Sequence, residues 1–442
     1  MAKRTKRQQA ILKRRIFLSF CSLVLIAAIA LLSFVIGSAI TGDNNGNNSG
    51  NNSSTPKPEP IPDKFATIVS VGDIMCHNTQ IQGAKTNNGY DFSEYFTELA
   101  PYFKSANLAI GNLETTFGGT DGRNYSGNPG GFNAPDELSA AIANSGIGLL
   151  MTTNNHTYDT GFSGMKRTLD VVRNLGIQTN GSRKDETEAK YIVKDLNGIK
   201  VGIISYTYET TSATQTNKYL NGIRLSAEAG PLVNSFCYGK IDEFYAEAQE
   251  IITKMKQDGA EYITFYMHWG DEYKRTQNTW QKTIAQKLSN MGVNMIIGGH
   301  PHVVQPIEYI YSEDGQTETV CVYSLGNAVS NQRRSLMPNN APKGHTEDGL
   351  MVKYTLKKTA DGTVTLVDFE AIPTWVDRYL VGGKHKYTIY PMENLEEAKT
   401  KYPNIASRLN ESYLRTKEIM GNGLTNVQQK IGCEVTFTIP AE

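Results

Sequence analysis

The strongest constraint on the fold is a series of polar clusters, each placed after a short apolar run that is typical of a buried β-strand. Five of the seven histidines lie in four of these clusters, and a further acidic residue lies in the remaining one. In chain order the clusters are 72–77 (GDIMCH), 111–114 (GNLE), 154–156 (NNH), 268–270 (HWG) and 298–302 (GGHPH). Because ligands bind where the strands of an open α/β sheet run into loops, the pattern predicts an α/β protein with a site at one sheet edge.

The side chains in these clusters are of the types that bind divalent metal ions, since imidazole, carboxylate and amide oxygen suit hard to borderline cations. Each residue alone also has a plainer interpretation. Asp73 could cap a turn, Glu114 could be a surface acid, and Asn155 could be a turn residue. His156 and His268 could each be a hydrogen-bonded core histidine. The joint pattern therefore carries more weight than any single position.

The pair His300 and His302 is the strongest local indication of a metal site. Alternate residues of a strand or extended loop point the same way, and Pro301 limits the backbone between the two imidazoles. Two glycines, at 298–299, precede the pair and allow a close approach of the backbone. This segment predicts metal binding even when it is considered in isolation.

Strand-like runs alternate with amphipathic segments along the chain, and late hairpins follow them. Strands are predicted at 65–71, 106–110, 147–153, 262–267 and 293–297, and helices at 92–105, 135–144, 162–175, 241–257 and 280–291. Hairpins are predicted at 191–208, 303–323 and 350–369, and a helix followed by a final strand at 394–442. The order favours two packed mixed sheets with helices outside them.

The N-terminus predicts a membrane anchor. Residues 16–40 carry no charged side chain over 25 positions, which is long enough for a helix to cross a bilayer. Seven cations precede them without an acid, so residues 1–15 are expected to be a cytoplasmic basic tail and the rest of the chain extracellular. A cleaved signal peptide is the alternative, with 37–39 (GSA) as a weak cleavage site. The apolar length favours an uncleaved anchor, and hence a single-pass cell-membrane protein.

Residues 41–63 consist mainly of Asn, Gly, Ser, Thr and Pro, and are predicted to be a disordered linker. Beyond the anchor, the 44 acidic residues of the chain exceed the remaining 37 basic ones by seven. A mildly acidic extracellular part argues against nucleic acid as a partner.

The ordered motifs resemble the calcineurin-like metallophosphoesterase superfamily, and their spelling resembles its CapA branch, which includes the PgsA-type proteins of poly-γ-glutamate capsule synthesis. The resemblance covers roughly 66–371. The matching stretches are 71–75 (VGDIM), 112–114 (NLE), 154–156 (NNH) with Asp159 and Gly161, 268–273 (HWGDEY), 298–306 (GGHPHVVQP) and 323–327 (YSLGN).

This resemblance implies a four-layer α/β/β/α metallophosphoesterase-like sandwich, preceded by the transmembrane helix. The implied domain spans 64–375, with a C-terminal extension at 376–442. The implied cofactors are divalent metal ions, two in number, of manganese, zinc or iron. By position, one metal would be bound by Asp73 and His302, and the other by Asn155, His268 and His300, with Glu114 between them. His156 would lie near the substrate as a proton donor or charge stabiliser.

Two departures from the superfamily pattern concern the metal ligands. The superfamily has Asp-x-His after the first strand, whereas Met75 stands in the histidine position here. His77 is a candidate replacement ligand, although a plain loop histidine is an equal alternative. Glu114 replaces the usual bridging Asp and is one methylene longer. These departures would suit a site that holds one metal tightly and a second weakly.

Two functions fit the sequence. The first is a metal-dependent hydrolase or transferase that acts outside the cell on an anionic polymer such as poly-γ-glutamate. The second is a non-catalytic accessory subunit that binds this polymer within a membrane complex of other capsule-synthesis subunits. Four cations are candidates for binding anionic substrate, although each taken alone is better explained as part of a solvated loop: Lys274, Arg275, Arg333 and Arg334.

Overall fold

The computed structural model describes residues 62–128, 130–338 and 341–436. The predicted basic tail, the anchor at 16–40 and nearly all of the predicted linker lie outside these residues. Within the described ranges, no helix combines the length and apolar character needed to cross a membrane. The first strand begins at Lys64, close to the predicted position.

The larger sheet has eight strands and a mixed arrangement. Across the sheet the order is Lys384–Pro391, Val364–Val381, Asp348–Lys358, Lys64–Ile74, Leu108–Leu113, Leu149–Met151 and Gln178–Asn180, with Asn327–Val329 also paired to the end of Lys64–Ile74. The last four strands of this order run parallel, whereas the first three are joined as antiparallel neighbours. The parallel half therefore brings successive strand ends to one edge.

The smaller sheet has seven strands. Their order is Ser235–Phe236, Ile199–Tyr208, Tyr262–His268, Met295–Gly299, Glu318–Val322 and Ile307–Tyr311, with Ile192–Leu196 paired antiparallel to Ile199–Tyr208. Within the described residues, three short strand pairs complete the β-structure: Lys85–Thr86 with Gly89–Tyr90, Ser126–Asn128 with Gly131–Asn133, and Tyr219–Leu220 with Ile223–Arg224. The predicted hairpin at 197–198 is confirmed, since Asn197 lies at positive φ in that turn.

Three apolar cores define the layers. One core lies between the sheets, where Ile68 and Leu108 of the larger sheet meet Ile203 and Tyr266 of the smaller one. The second core packs the outer face of the larger sheet against Asn78–Ala84, Ala100–Ser105, Glu137–Ser145 and Gly161–Arg173. The third packs the smaller sheet against Ile241–Gln257 and Thr279–Met291. The α/β prediction, with helices outside two packed sheets, is therefore confirmed.

Two details differ from the sequence predictions. The helix predicted at 92–105 is restricted to Ala100–Ser105, because residues 93–99 form turns and Pro101 occupies the first helical turn. At the C-terminus, the predicted helix is present as Leu395–Lys401 and Ala406–Ile431. The last helix ends at Gly432, residues 433–436 are not a strand, and the remainder of the predicted strand lies outside the described residues.

The C-terminal helix Ala406–Ile431 packs against the core between the sheets through Met420, Leu424 and Val427. The strand Val364–Val381 continues without a break through the predicted boundary at 375–376. The domain limits themselves remain predictions, but the C-terminal segment contributes apolar side chains to the same core.

Candidate metal centre

The predicted polar clusters come together because parallel strands of both sheets end at the same cleft. In the larger sheet, Asp73 lies near the end of Lys64–Ile74, and Glu114 directly follows Leu108–Leu113. In the smaller sheet, His268 ends Tyr262–His268, and the segment 300–302 follows Met295–Gly299. The cleft is therefore built from both sheets and not from one loop.

Glu114 is shared by two groups of buried side chains that could each hold a metal ion. The first group is Glu114, His268 and His300, and the second is Asp73, Glu114 and His302. In each group the candidate ligand atoms lie within 4.8 Å of one another. His268 Nε2 lies 3.4 Å from Glu114 Oε1, and His302 Nε2 lies 3.8 Å from the same oxygen. The shared carboxylate stands where a bridging ligand would be required.

The donor set fits divalent cations, and its unpartnered atoms support this. Both carboxylate oxygens of Glu114 are buried and lack a hydrogen-bond partner among the described residues. The Nδ1 atom of His300 is buried and equally unpartnered within that part of the chain. Buried polar atoms normally have partners, so three such atoms in one cleft indicate a missing ligand. A cation with borderline to hard character would satisfy carboxylate and imidazole together.

Asn327 orients His302. Its Oδ1 atom lies 3.0 Å from His302 Nδ1, which leaves Nε2 as the nitrogen nearest Glu114. Burial lowers the pKa of His302, but the negative charges of Glu114 and Asp73 outweigh this effect and raise the pKa to about 9. The acids that favour a positively charged imidazole here would also favour a bound cation.

His300 and His268 face each other, with ring centroids 4.9 Å apart. Burial, together with the neighbouring histidines, sets the pKa of His300 well below its ordinary value. The neutral imidazole is the form that binds metals. His268 Nε2 lies 2.9 Å from Asn155 Oδ1, so the amide oxygen and the imidazole nitrogen are direct neighbours in the cleft. Tyr208 covers both imidazoles, with its ring 4.7 Å from that of His300.

The loop that carries the histidine pair is turned and not extended. His300 has φ +95° and His302 has φ +56°, which is the left-handed region that non-glycine residues rarely adopt. The side chains still converge, since their ring centroids are 6.0 Å apart. The predicted close backbone approach is present: a Cβ on Gly299 would lie 2.6 Å from Asp73 Oδ1. His300 N–H donates to Asp73 Oδ2 at 3.1 Å, which fixes the loop against the acid.

His156 lies beside this cleft and is held by Asp159. Its Nδ1 lies 2.7 Å from Asp159 Oδ2, and the Asp159 side chain is completely buried. Burial lowers the pKa of His156, but the hydrogen bond and charge of Asp159 and the charge of Glu114 outweigh it, so the pKa is raised. With Nδ1 engaged, Nε2 is the nitrogen that remains for proton exchange.

His77 belongs to neither of the two ligand groups. It precedes the helix Asn78–Ala84, and its Nδ1 accepts a hydrogen bond from the Asn331 backbone N–H at 3.2 Å. Its ring packs against Phe132, with centroids 5.2 Å apart. Burial lowers the pKa of His77 to about 4. The structure thus gives His77 local structural contacts, and its role as a ligand stays a prediction.

The predicted substrate-binding cations have different surroundings. Lys274 and Arg275 are exposed in the loop after His268. Arg333 is buried, donates to the Val376 carbonyl, and lies 3.3 Å from a Glu347 carboxylate oxygen. Because its guanidinium is engaged inside the protein, the structure does not support a substrate role for Arg333.

Arg334 contacts the same acid. Its backbone N–H donates to Glu347 Oε1 at 2.8 Å, and its guanidinium lies 3.3 Å from Glu411 Oε2. We call Arg333, Arg334, Glu347 and Trp375, whose Nε1 lies 3.4 Å from Glu347 Oε2, the Glu347 network. Arg334 is paired with the buried Glu347 and with the exposed Glu411, so its charge is already engaged within the protein.

Sequence reasoning missed two asparagines that position the candidate ligands. Asn112 Nδ2 donates to Asp73 Oδ1 at 2.7 Å and lies 3.3 Å from His268 Nδ1, so it touches one candidate ligand from each sheet. Asn327 holds His302, since its Oδ1 lies 3.0 Å from His302 Nδ1. Both lie inside matched motifs, but an amide has no distinguishing chemistry until its neighbours are known.

Comparison with known proteins places the chain in a family. Residues 67–332 match the family described as bacterial capsule synthesis protein PGA_cap. The chain belongs to this family. The predicted resemblance to CapA-type proteins is therefore confirmed.

Two relatives have the same name. The chain is 26% identical over 306 residues to capsule biosynthesis protein CapA of Bacillus anthracis, which covers 68% of this chain and 66% of that protein. It is 28% identical over 315 residues to PGA biosynthesis protein CapA of Bacillus subtilis (strain 168), which covers 70% and 73%. The match thus spans about two thirds of these relatives.

Among solved structures, the chain has partial likeness to the NAD nucleotidase NadN of Haemophilus influenzae. The TM-score is 0.41 at 13% identity, with 81% of this chain and 68% of that chain covered.

Proposed function

We propose that this chain is a membrane-anchored, extracellular CapA-like protein of capsule or poly-γ-glutamate synthesis or export. We further propose that its cleft works as a metal-dependent hydrolase on an anionic polymer, within a metallophosphoesterase-like sandwich. The capsule role is supported by family membership and by the names of the two Bacillus relatives. The anchor is supported by the uncharged segment at 16–40 and the cations before it.

The observation that carries the hydrolase proposal is Glu114, which is shared by both ligand groups and has two unpartnered oxygens within the described part of the chain. Asp73 and His302 would hold one divalent ion, and His268 and His300 the other, with the Asn155 amide oxygen beside His268. Bound ions of this kind act as Lewis acids and make water more acidic.

The contribution of this chain's own residues to the reaction would begin with binding and orientation. Asn112 and Asn327 hold Asp73, His268 and His302 in place, so the cleft needs little rearrangement. His156 would then donate a proton from Nε2 to the leaving group, since Asp159 holds Nδ1. The raised pKa of His156 favours the protonated form that this role requires.

A second function, polymer binding without cleavage, is favoured by the first loop. Met75 stands where the superfamily has a ligand, and His77 uses its Nδ1 on the Asn331 backbone. A centre with fewer ligands could retain affinity for carboxylates and lose the chemistry.

Activity assays on the purified chain with added manganese or zinc distinguish these functions. Product release is measured with poly-γ-glutamate, a glycan and a phosphodiester as substrates. The hydrolase proposal predicts metal-dependent release, and a loss of about 10²–10⁴-fold in rate for His156→Ala with metal content retained. Polymer binding without any product release would leave the accessory function. A wild type that takes up no divalent metal after dialysis would contradict the hydrolase proposal.

Orientation is tested separately on intact cells with a protease that cannot cross the membrane. The proposed topology predicts digestion of the domain together with a known surface protein. Survival of the domain alone would overturn the extracellular placement.

A further inference from the structure

The strained backbone of the metal cleft includes one residue that belongs to neither ligand group. Within the described ranges, five non-glycine residues have positive φ. Asn197 and Asn221 lie in tight hairpin turns, where asparagine commonly adopts this conformation. The other three are bulky residues of the cleft, namely His300, His302 and Tyr273, the last with φ +63°. Such strain persists where the surrounding structure fixes it, and it clusters at functional sites.

The backbone of Tyr273 is tied to the loop of the candidate histidines. Tyr273 lies in the loop 269–278 that follows the strand Tyr262–His268. Its N–H donates to the carbonyl of Pro301 at 2.8 Å, between the two histidines. Its ring lies beside that of His302, with centroids 6.0 Å apart. The strained conformation therefore holds the tyrosine side chain next to a candidate ligand.

The hydroxyl of Tyr273 is connected to the same histidine through two amides. Gln332 Nε2 donates to the hydroxyl oxygen at 3.3 Å, and Gln332 Oε1 accepts a hydrogen bond from Asn327 Nδ2 at 2.9 Å. Asn327 in turn contacts His302. Because Gln332 is the donor in its bond to the phenol, the phenolic hydrogen is left to donate elsewhere. The side chain of Tyr273 is half-buried, so this hydrogen can reach a ligand in the cleft.

The surroundings keep the hydroxyl protonated. Burial, followed by the charge and hydrogen bonding of Glu272 and the charge of Glu114, raises the pKa of Tyr273 above its ordinary value. A neutral phenol donates a hydrogen bond and carries no charge that would repel an anion. In the free protein the exposed carboxylate of Glu272 is the neighbouring acceptor, and a bound anion would take its place.

Other donors of the cleft are already used within the protein. The side-chain amide of Asn112 donates to Asp73, that of Asn154 donates to the Leu113 carbonyl, and that of Asn327 donates to the Thr346 carbonyl. These amides position the protein and are not available to a substrate. The phenolic hydrogen of Tyr273 is therefore a donor that the cleft can offer to an incoming anion.

We propose that Tyr273 contacts the substrate, and that its hydroxyl donates a hydrogen bond to a tetrahedral oxyanion in the metal cleft. Such an oxyanion forms when water adds to a phosphoryl or acyl group, and a fixed donor stabilises its negative charge. The inference rests on the proposed hydrolase function. It adds a residue outside both ligand groups, and it assigns a role to the strained backbone of the 269–278 loop.

The test measures binding of inorganic phosphate, a stable tetrahedral oxyanion, by titration calorimetry. The full chain is purified in detergent and dialysed against manganese, and free manganese is then removed. Tyr273→Phe deletes only the hydroxyl, because the ring beside His302 and the N–H bond to Pro301 remain. We expect the affinity for phosphate to fall about tenfold to a hundredfold, as for loss of a hydrogen bond to a charged group.

Tyr102→Phe is the matched control. Tyr102 is also half-buried, and its hydroxyl donates to Glu393 at 2.9 Å on the helix Ala100–Ser105, outside the cleft. This variant likewise loses one bond between a phenol and a neighbouring acid. Its affinity for phosphate should equal that of the wild type.

Two further measurements distinguish contact with the oxyanion from support of the ligand loop. Manganese content and thermal unfolding of Tyr273→Phe should equal those of the wild type, because the contacts that hold the loop are retained. Gln332→Met removes the amide that joins the phenol to Asn327 but leaves the phenolic hydrogen. Its loss of phosphate affinity should therefore be smaller than that of Tyr273→Phe.

The outcomes separate the role of Tyr273 from the hydrolase proposal. If Tyr273→Phe binds phosphate as tightly as the wild type, the role of Tyr273 is overturned while the metal centre stands. Reduced manganese content in Tyr273→Phe, or an equal loss in Gln332→Met, would make Tyr273 a positioning residue and would also overturn the proposal. A manganese-loaded wild type that binds no phosphate would overturn it as well. If the wild type takes up no manganese or zinc, the hydrolase proposal and the role of Tyr273 fall together.

Discussion

The metal cleft and the Glu347 network are both buried and charged, and Asn327 links the cleft to Thr346, the residue before Glu347. Asn327 contacts His302 through Oδ1, and its Nδ2 donates to the Thr346 carbonyl, next to Glu347. In the Glu347 network, two arginines and a tryptophan neutralise or bind the acid. In the cleft, Glu114 keeps both oxygens without a hydrogen bond to any described residue.

This difference separates a structural acid from a functional one. A buried acid requires compensation, because removing a charge from water is unfavourable. Where the chain supplies the compensation itself, as for Glu347, the site is complete after folding. Where the described residues give the acid no hydrogen bond and only histidines at 3.4 and 3.8 Å, as for Glu114, an external cation can complete the compensation.

The largest effect is expected for loss of a ligand in the cleft. His300→Ala should weaken metal binding by about 100-fold or more, because it removes an imidazole whose nearest alternatives are already used. Glu347→Ala should leave metal binding unchanged. Metal content by mass spectrometry after dialysis against manganese or zinc provides the measurement. Full metal content in His300→Ala would contradict the assignment of the cleft.

The second effect concerns the free energy of unfolding, and here the larger loss is expected in the Glu347 network and not in the cleft. Glu347→Ala should lower the free energy of unfolding by about 3–5 kcal/mol, because the buried Arg333 loses its counter-charge. Glu250→Ala is the matched control, since Glu250 forms an exposed pair with Lys254 and its loss should change the free energy of unfolding far less. Urea denaturation measures both. Equal losses in the two variants would show that the network does not depend on a buried charge.

The third effect is a pH dependence beside the Glu347 network. Burial and the charges of Arg275 and Arg415 lower the pKa of His345 to about 4, against an ordinary value near 6.5. Above the ordinary value His345 is neutral in both states, and its stabilising contribution is complete. As pH falls from about 6.5 to 4, the unfolded state gains the proton before the folded state does, so the free energy of unfolding falls.

Variants isolate this contribution. His345→Asn should flatten the decline of unfolding free energy between about pH 6.5 and 4, compared with the wild type. His385→Asn is the control, because His385 lies near the turn of an outer hairpin and is only slightly buried. A decline that is as steep in His345→Asn as in the wild type would exclude this histidine as its source.

The smallest effect is expected for Glu114 without metal. Glu114→Gln should lower the free energy of unfolding of the metal-free protein less than Glu347→Ala does, because among the described residues Glu114 loses no hydrogen bond, only the attraction of its charge to His268 and His302. Adding manganese should then stabilise the wild type but not the variant. A loss near that expected for Glu347→Ala would mean that Glu114 is structural.

The sequence predicts the ligand-bearing strand ends well, for a physical reason. Strands such as Tyr262–His268 are apolar on both faces, so their runs are unambiguous, and the polar residue that follows stands out. Parallel order then brings these ends together. The helix predicted at 92–105 was wrong in length because apolar spacing within the turns, at Phe92, Phe96 and Leu99, imitates a helix.

Contacts between distant residues could not be predicted in this way. In the sequence, Arg333 lies in a polar segment that is typical of a surface loop. Its buried ion pair with Glu347 becomes evident only in the folded structure. Asn327 reaches His302 across 25 residues without a local signal. The left-handed backbone conformation at His300 could not be predicted either, because the sequence pattern there indicates an extended segment.

Because the candidate ligands come from both sheets, a metal ion can bind only at a late stage of folding. Asp73 and His302 are separated by most of the folded chain, and each belongs to a different sheet. A partly folded chain with one sheet formed therefore has half a coordination shell and little affinity for a cation. The metal would enter only after the sheets have docked, so the ion pool of the compartment in which folding finishes would decide which metal the protein carries.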